Sequence, residues 1–255
     1  MRKFISFCFA FCGLAFFCGV PFLLLTGCGG SGQNNSNGAT AVGGADAGWI
    51  ALSGGDSIKG WHTYGHSFVG GAWRSDSGSI HLQPGAKNGY QTAGGGDLVT
   101  NDSFGDFRLQ LEWKIGKKAN SGILFYIRED TSLYKETWNT GMEMQICDKD
   151  SNEDAHSFKH EAGDLYDLVP STVMSARGPG EWNQVEITSE KGKLSLMLNG
   201  VNIINTPLWD THWRQMIDSS KFRDMPGFGT FHTGKIALQD HGEDVWFRNI
   251  RIRKL

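Results

Sequence analysis

Residues 107 to 115, FRLQLEWKI, alternate without a break: Phe107, Leu109, Leu111, Trp113 and Ile115 against Arg108, Gln110, Glu112 and Lys114. Side chains leave a β-strand on opposite faces with a period of two, so this stretch predicts a strand with one dry and one wet face. A helix would scatter the same residues around its axis. The period recurs along the chain. In SGILFYIRE, Ile123, Phe125 and Ile127 oppose Leu124, Tyr126 and Arg128; in GMEMQIC, Met142, Met144 and Ile146 oppose Glu143 and Gln145. KLSLML runs into Asn199-Gly200, a hairpin signal because both turn positions tolerate positive φ. VEIT, KIALQ and VWFRNIRIRKL read as further strands. In the last, the alternation slips by one near Arg248-Asn249, which predicts a bulge. One short helix is expected in WRQMIDSSK, Trp213 to Lys221. Many short strands parted by glycine turns, with 35 glycines against 6 prolines, imply an all-β fold: a jelly-roll β-sandwich in one domain.

The N-terminal segment has a different composition. Arg2 and Lys3 precede an uncharged run from Phe4 to Leu25, followed by Leu25-Thr26-Gly27-Cys28. That pattern is similar to the lipobox of bacterial lipoproteins, with cleavage before Cys28 and lipidation of the new terminus. A permanent transmembrane helix is the competing reading, since about 20 apolar residues span a bilayer. Residues 1–27 are therefore expected to be a signal peptide. Residues 28–47 form a flexible, membrane-anchored tether, and 48–255 the folded domain. The expected location is the cell envelope, lipid-anchored, on the periplasm-facing side of the outer membrane. Losing Arg2 and Lys3 takes the net charge from −3 to −5. Cys147 is then the one cysteine within the domain, so no disulfide is expected and the core must carry stability. No basic stripe is present, which argues against nucleic acid as a partner.

Several segments, in order, resemble one bacterial family. They are GWIALSGGDSIKGWHTYG, GGGDLVTNDSFGDFRLQLEWKI, ANSGILFYIRE, TGMEMQICD, HEAGDLYDLVPS, GEWNQVEI, LNGVNI, KFRDMPGFG and GKIALQDHGEDVWFRNIRIRKL. The family is that of the 3-keto-disaccharide hydrolases, formerly a domain of unknown function. The likeness covers about residues 48 to 255. It implies a jelly roll similar to concanavalin A-like lectins and glucanases, and cleavage of glycosides whose sugar carries a ketone at C3. A carbohydrate substrate follows from it, as does a functional link to a sugar 3-dehydrogenase that makes the ketone. The same sandwich also hosts pure lectins, so a non-catalytic carbohydrate-binding lipoprotein is the alternative.

A C3 ketone acidifies the C2 hydrogen, so a base at C2 yields an enolate that expels the aglycone from C1. The site must offer that base, a cation or donors at the C3 oxygen, and an acid for the leaving group. Glu143 and His241 are the candidate bases, with Asp240 beside His241 as its orienting carboxylate. Arg128 and Gln145 are candidates for holding the sugar or its oxyanion, because Arg128 and Glu143 meet on one wet concave face if their strands are neighbours. The bland reading of that pair is a cross-strand ion pair on an exposed sheet. His160, Tyr166 and Asp167, in KHEAGDLYDLVPS, are candidate substrate contacts on a loop; a turn cap and a packed aromatic are the bland reading. Asp240 falls on the core side of KIALQDH unless the strand ends near Gln239 and Gly242 turns both side chains outward. His160, Glu143, Asp240 and His241 are ligand types that can hold a divalent metal ion, though no tight ligand spacing appears. Trp61, Tyr64 and Trp182 are the aromatics considered for sugar stacking, with Trp182 assigned to the core.

Overall fold

The computed structural model describes residues 47–53, 57–150 and 153–255. The expected signal peptide, Cys28 and nearly all of the tether lie outside these residues. Among the described residues, no helix is long and apolar enough to cross a membrane.

The strands are β1 (Trp49–Ala51), β2 (Trp61–Thr63), β3 (Trp73–Asp76), β4 (Ser79–Leu82), β5 (Lys87–Asn88), β6 (Gln91–Thr92), β7 (Leu98–Thr100), β8 (Phe107–Ile115), β9 (Asn120–Ile127), β10 (Met142–Cys147), β11 (Asn183–Glu190), β12 (Lys193–Leu198), β13 (Val201–Pro207), β14 (Lys235–Leu238) and β15 (Val245–Lys254). They form two antiparallel sheets and a small hairpin. The larger sheet runs β13-β12-β11-β8-β15-β4-β3, with β1 also on β15; the smaller runs β10-β9-β14-β7-β2; β5 and β6 pair with each other. The fold is the expected β-sandwich.

The alternating strands put their apolar faces together. Phe107, Leu109, Leu111, Trp113 and Ile115 of β8 meet Ile123 and Phe125 of β9, Met142, Met144 and Ile146 of β10, and Ile236 and Leu238 of β14 in one core. Fully burying each such side chain contributes about 1.5–3 kcal/mol. At the hairpin, Asn199 and Gly200 have φ of 52° and 81°, the primed turn that their sequence predicts. The slip in β15 is present too: its register against β8 shifts between Arg248 and Arg251, and Asn249 has φ 53°.

Two expectations need correction. The helix, α1, spans Thr211–Asp218 rather than Trp213 to Lys221, because the Asp210 carboxylate accepts the Trp213 N–H at 2.7 Å and starts it earlier. Trp182 is half-buried on the outward face of the larger sheet, not in the core, with Lys114 and Arg248 against its ring at 5.0 and 3.9 Å. Trp61 is a core residue, donating its indole N–H to the Leu52 carbonyl.

Candidate active site

The smaller sheet has a second face, turned away from the core, and the site is built there. Since Met142, Met144 and Ile146 point inward, Glu143 and Gln145 must point outward from β10. Antiparallel pairing sets Gln145 opposite Gly122 and Glu143 opposite Leu124. A Cβ at Gly122 would collide with the Glu143 carboxylate, so the glycine leaves the space in which that carboxylate lies. This face is not wet. Glu143 is 8 % exposed and Gln145 1 %, and Leu124, Val99 and Ala237 are buried with Tyr64 and Trp138 packed on them. Loops cover the sheet and leave a cavity of about 490 Å³ between them and the strands.

The β10 edge is where the first covering loop attaches. Gln145 N–H donates to the Asp164 carbonyl, Gly163 N–H to Gln145 O, and Tyr166 N–H to Glu143 O, all within 2.9–3.0 Å. That ladder fixes Tyr166 beside Glu143, and both line the cavity. His160 and Asp167 do not line it; they hold what does. The His160 ring stacks on Tyr166 with centroids 4.2 Å apart, and its Nε2 lies 3.3 Å from Asp167 Oδ1. Asp167 Oδ2 accepts the Lys221 backbone N–H at 2.7 Å, and Lys221 Nζ sits 3.9 Å from the Tyr166 ring centre. The direct sugar contact expected of His160 and Asp167 is thus replaced by support of Tyr166 and Lys221.

A second wall comes from the β5–β6 hairpin and the loop after β9. The Tyr90 hydroxyl donates to Glu136 at 2.8 Å and lies 3.3 Å from the Trp138 indole nitrogen. Burial, the nearby Asp97 charge and the Glu136 bond push the Tyr90 hydroxyl pKa well up, so it acts as a neutral donor. The segment after α1 brings Lys221, Phe222 and Met225, and the end of β14 brings Gln239 and His241; Asn120 completes the floor.

Asp240 does not orient His241. Strand β14 ends at Leu238 and the turn redirects the chain, but Asp240 goes inward and is fully buried. Its carboxylate accepts N–H groups of Thr92, Gly96 and Gly242 and the Thr92 hydroxyl, at 2.8–3.1 Å. Gly242 thus does not turn both side chains outward as expected: Asp240 is buried, while its neighbour His241 reaches the cavity. Behind it lies Asp97, also buried, whose oxygens accept the Asp240 N–H at 2.9 Å and the Thr137 hydroxyl. Burial raises the Asp97 pKa to about 6, with the Asp240 and Glu136 charges adding to the rise against those hydrogen bonds.

Arg128 lies apart from Glu143. Tyr126 has φ 63°, and the register of β9 against β14 gains an extra residue there, so Tyr126 joins the core and Ile127 takes the outward place. Arg128 is then exposed beyond the strand end, over the Phe231 ring at 5.9 Å, and does not line the cavity. Among the described residues no three His, Cys, Asp or Glu side chains gather as a metal ion would need.

Residues 48–253 match a family profile described as the 3-keto-α-glucoside-1,2-lyase-like domain. A 3-keto-disaccharide hydrolase of Bacteroides thetaiotaomicron is 33 % identical over 228 residues, 82 % of this chain and 79 % of that protein. The chain belongs to this family. Among solved structures, a Parabacteroides distasonis protein classed as a glycosyl hydrolase superposes with a TM-score of 0.73 at 28 % identity, covering 82 % of this chain and 94 % of that one. A second structure from that organism gives 0.60 at 23 % identity, over 81 % and 99 %, and supports the fold alone. For a member of this family, the cavity holds more than spacing could reveal. Lys221, Tyr90, Trp138 and Gln239 were not among the expected site residues. Lys221 and Met225 sit in KFRDMPGFG, one of the segments that carries the resemblance, and that was the available signal.

Proposed function

We propose that this domain cleaves 3-keto-glycosides by removing the C2 proton and expelling the C1 aglycone. A carbohydrate-cleaving role rests on family membership. What supports the finer reading is that Glu143, His241 and Lys221 line one cavity together with the amides of Gln145, Asn120 and Gln239.

The chemistry needs three groups, and three are available. Glu143 or His241 takes the C2 proton, and the other protonates the leaving oxygen at C1. The C2–H electron pair becomes the enolate C2=C3 bond, with charge on the C3 oxygen. Lys221, whose side chain lines this cavity, takes the role expected of Arg128 and stabilises that oxyanion. The enolate reforms the ketone as the C1–O bond breaks; water then adds at C1 and a proton returns to C2. Trp138, Tyr90 and Tyr166 offer ring faces or edges to the sugar. A cavity of about 490 Å³ is of ligand-binding size. Envelope anchoring through Cys28, and a dehydrogenase that supplies the ketone, belong to the same proposal.

The test is incubation of the protein with a 3-keto-glucoside in D2O. Aglycone release with deuterium at C2 of the released sugar supports elimination; release without deuterium points to direct hydrolysis. Sugar binding with no release by the wild type leaves the carbohydrate-binding reading.

A further inference from the structure

His241 and Glu243 flank Gly242, and the β5–β6 hairpin lies directly on that turn. Gly242 has φ 89°, and a Cβ there would collide with the Lys87 side chain and the Tyr90 carbonyl. The close fit puts Lys87 against the residue that follows the glycine: Lys87 Nζ donates to Glu243 Oε1 at 2.5 Å and lies 3.5 Å from the His241 carbonyl. The other carboxylate oxygen, Oε2, is buried, has no hydrogen-bond partner among the described residues, and stands 3.5 Å from His241 Nδ1. That approach is slightly long for a hydrogen bond.

We propose that Glu243, held by Lys87, is the positioning residue for His241: it keeps the proton on Nδ1, so that Nε2 is left as the acceptor for chemistry in the cavity. The proposal rests on the reading of His241 as a proton-transfer group. It assigns to Glu243 the part that adjacency suggests for Asp240, whose carboxylate is committed to Thr92, Gly96 and Gly242. Burial acts to raise the Glu243 pKa, but the facing His241 ring and the bond and charge of Lys87 outweigh it and hold the carboxyl below its ordinary range. Glu243 is therefore an anion beside the ring. The other groups facing His241 are Lys87 and Tyr90 from the hairpin, with Glu143 and Lys221 from the remaining walls. Glu243 presents its Oε2 to Nδ1.

The experiment reads the imidazole directly. In the full chain labelled on histidine, NMR of Glu243→Gln is expected to show the neutral His241 ring shifted away from the Nδ1–H tautomer. In the same variant, kcat for aglycone release should fall roughly tenfold or more with KM little changed, and its pH optimum should move. Glu243→Asp should recover part of both effects. Lys87→Met, at a half-exposed side chain, tests the tether if Glu243→Gln fails to fold: releasing the carboxylate should also move the neutral ring away from the Nδ1–H tautomer. An unmoved His241 tautomer in a folded Glu243→Gln overturns the proposal. A shifted tautomer with no turnover by the wild type supports the dyad and instead sinks the reading of function.

Discussion

Glu112, on the outward face of the eight-stranded sheet, is bound by Arg248 at 2.7 Å and by Asn249 at 3.0 Å. Glu143, on the outward face of the five-stranded sheet, lies over a glycine beneath a roof of loops. Both faces carry carboxylates, cations and aromatics. On the larger sheet they are spent on one another along a ladder in which His81 stacks on Trp246, Lys114 reaches both Trp246 and Trp182, and Arg248 covers Trp182. On the smaller sheet, loops bring similar groups to a shared hollow, with Glu143 itself buried. The contrast teaches that composition of a face does not decide its use. Covering does, because a charge in a dry recess is worth far more than the same charge in water.

The sharpest way to break the comparison is a matched pair of substitutions. Glu143→Gln should lower kcat on a 3-keto-glucoside about 10²–10⁴-fold, while Glu112→Gln leaves it unchanged. Equal effects would dissolve the distinction between the faces. Next in size is Asp240→Ala, which strands three backbone donors. It should destabilise the protein by roughly 3–5 kcal/mol in urea unfolding, whereas Asp240→Asn should cost less.

A pH experiment sharpens the picture behind the cavity. Asp97 binds its proton more tightly folded, at about 6, than in an unfolded chain, where the ordinary value is 3.8. Its contribution is thus fully present below about 3.8 and is lost as pH rises through about 6. Relative to Asp97→Asn, the wild type should gain roughly 2 kcal/mol of stability between pH 7 and pH 4. The smallest effect belongs to the open face: Trp182→Ala should cost only about 1 kcal/mol, read as a shift in urea midpoint, with activity untouched.

The fold was legible where a residue's neighbours are set by period. FRLQLEWKI states the two faces of β8, and MEMQI states that Glu143 and Gln145 leave the core together. The Asn199-Gly200 turn and the bulge at Asn249 are local chemistry and were readable for that reason. Arg128 was misplaced because one extra residue at Tyr126 reverses every face beyond it, and the sequence around Tyr126 shows no break in alternation. Asp240 was misjudged because its partners, Thr92 and Gly96, lie about 145 positions away and leave no trace beside it. Tyr90, Trp138 and Lys221 converge from three loops, and loop packing has no period to read.

The loop that delivers Tyr166 also occupies the hydrogen-bonding edge of β10. A bare sheet edge is a template for strands of other molecules. Remodelling this loop to admit a different sugar would therefore risk uncovering that edge, and substrate range and resistance to aggregation would be inherited together.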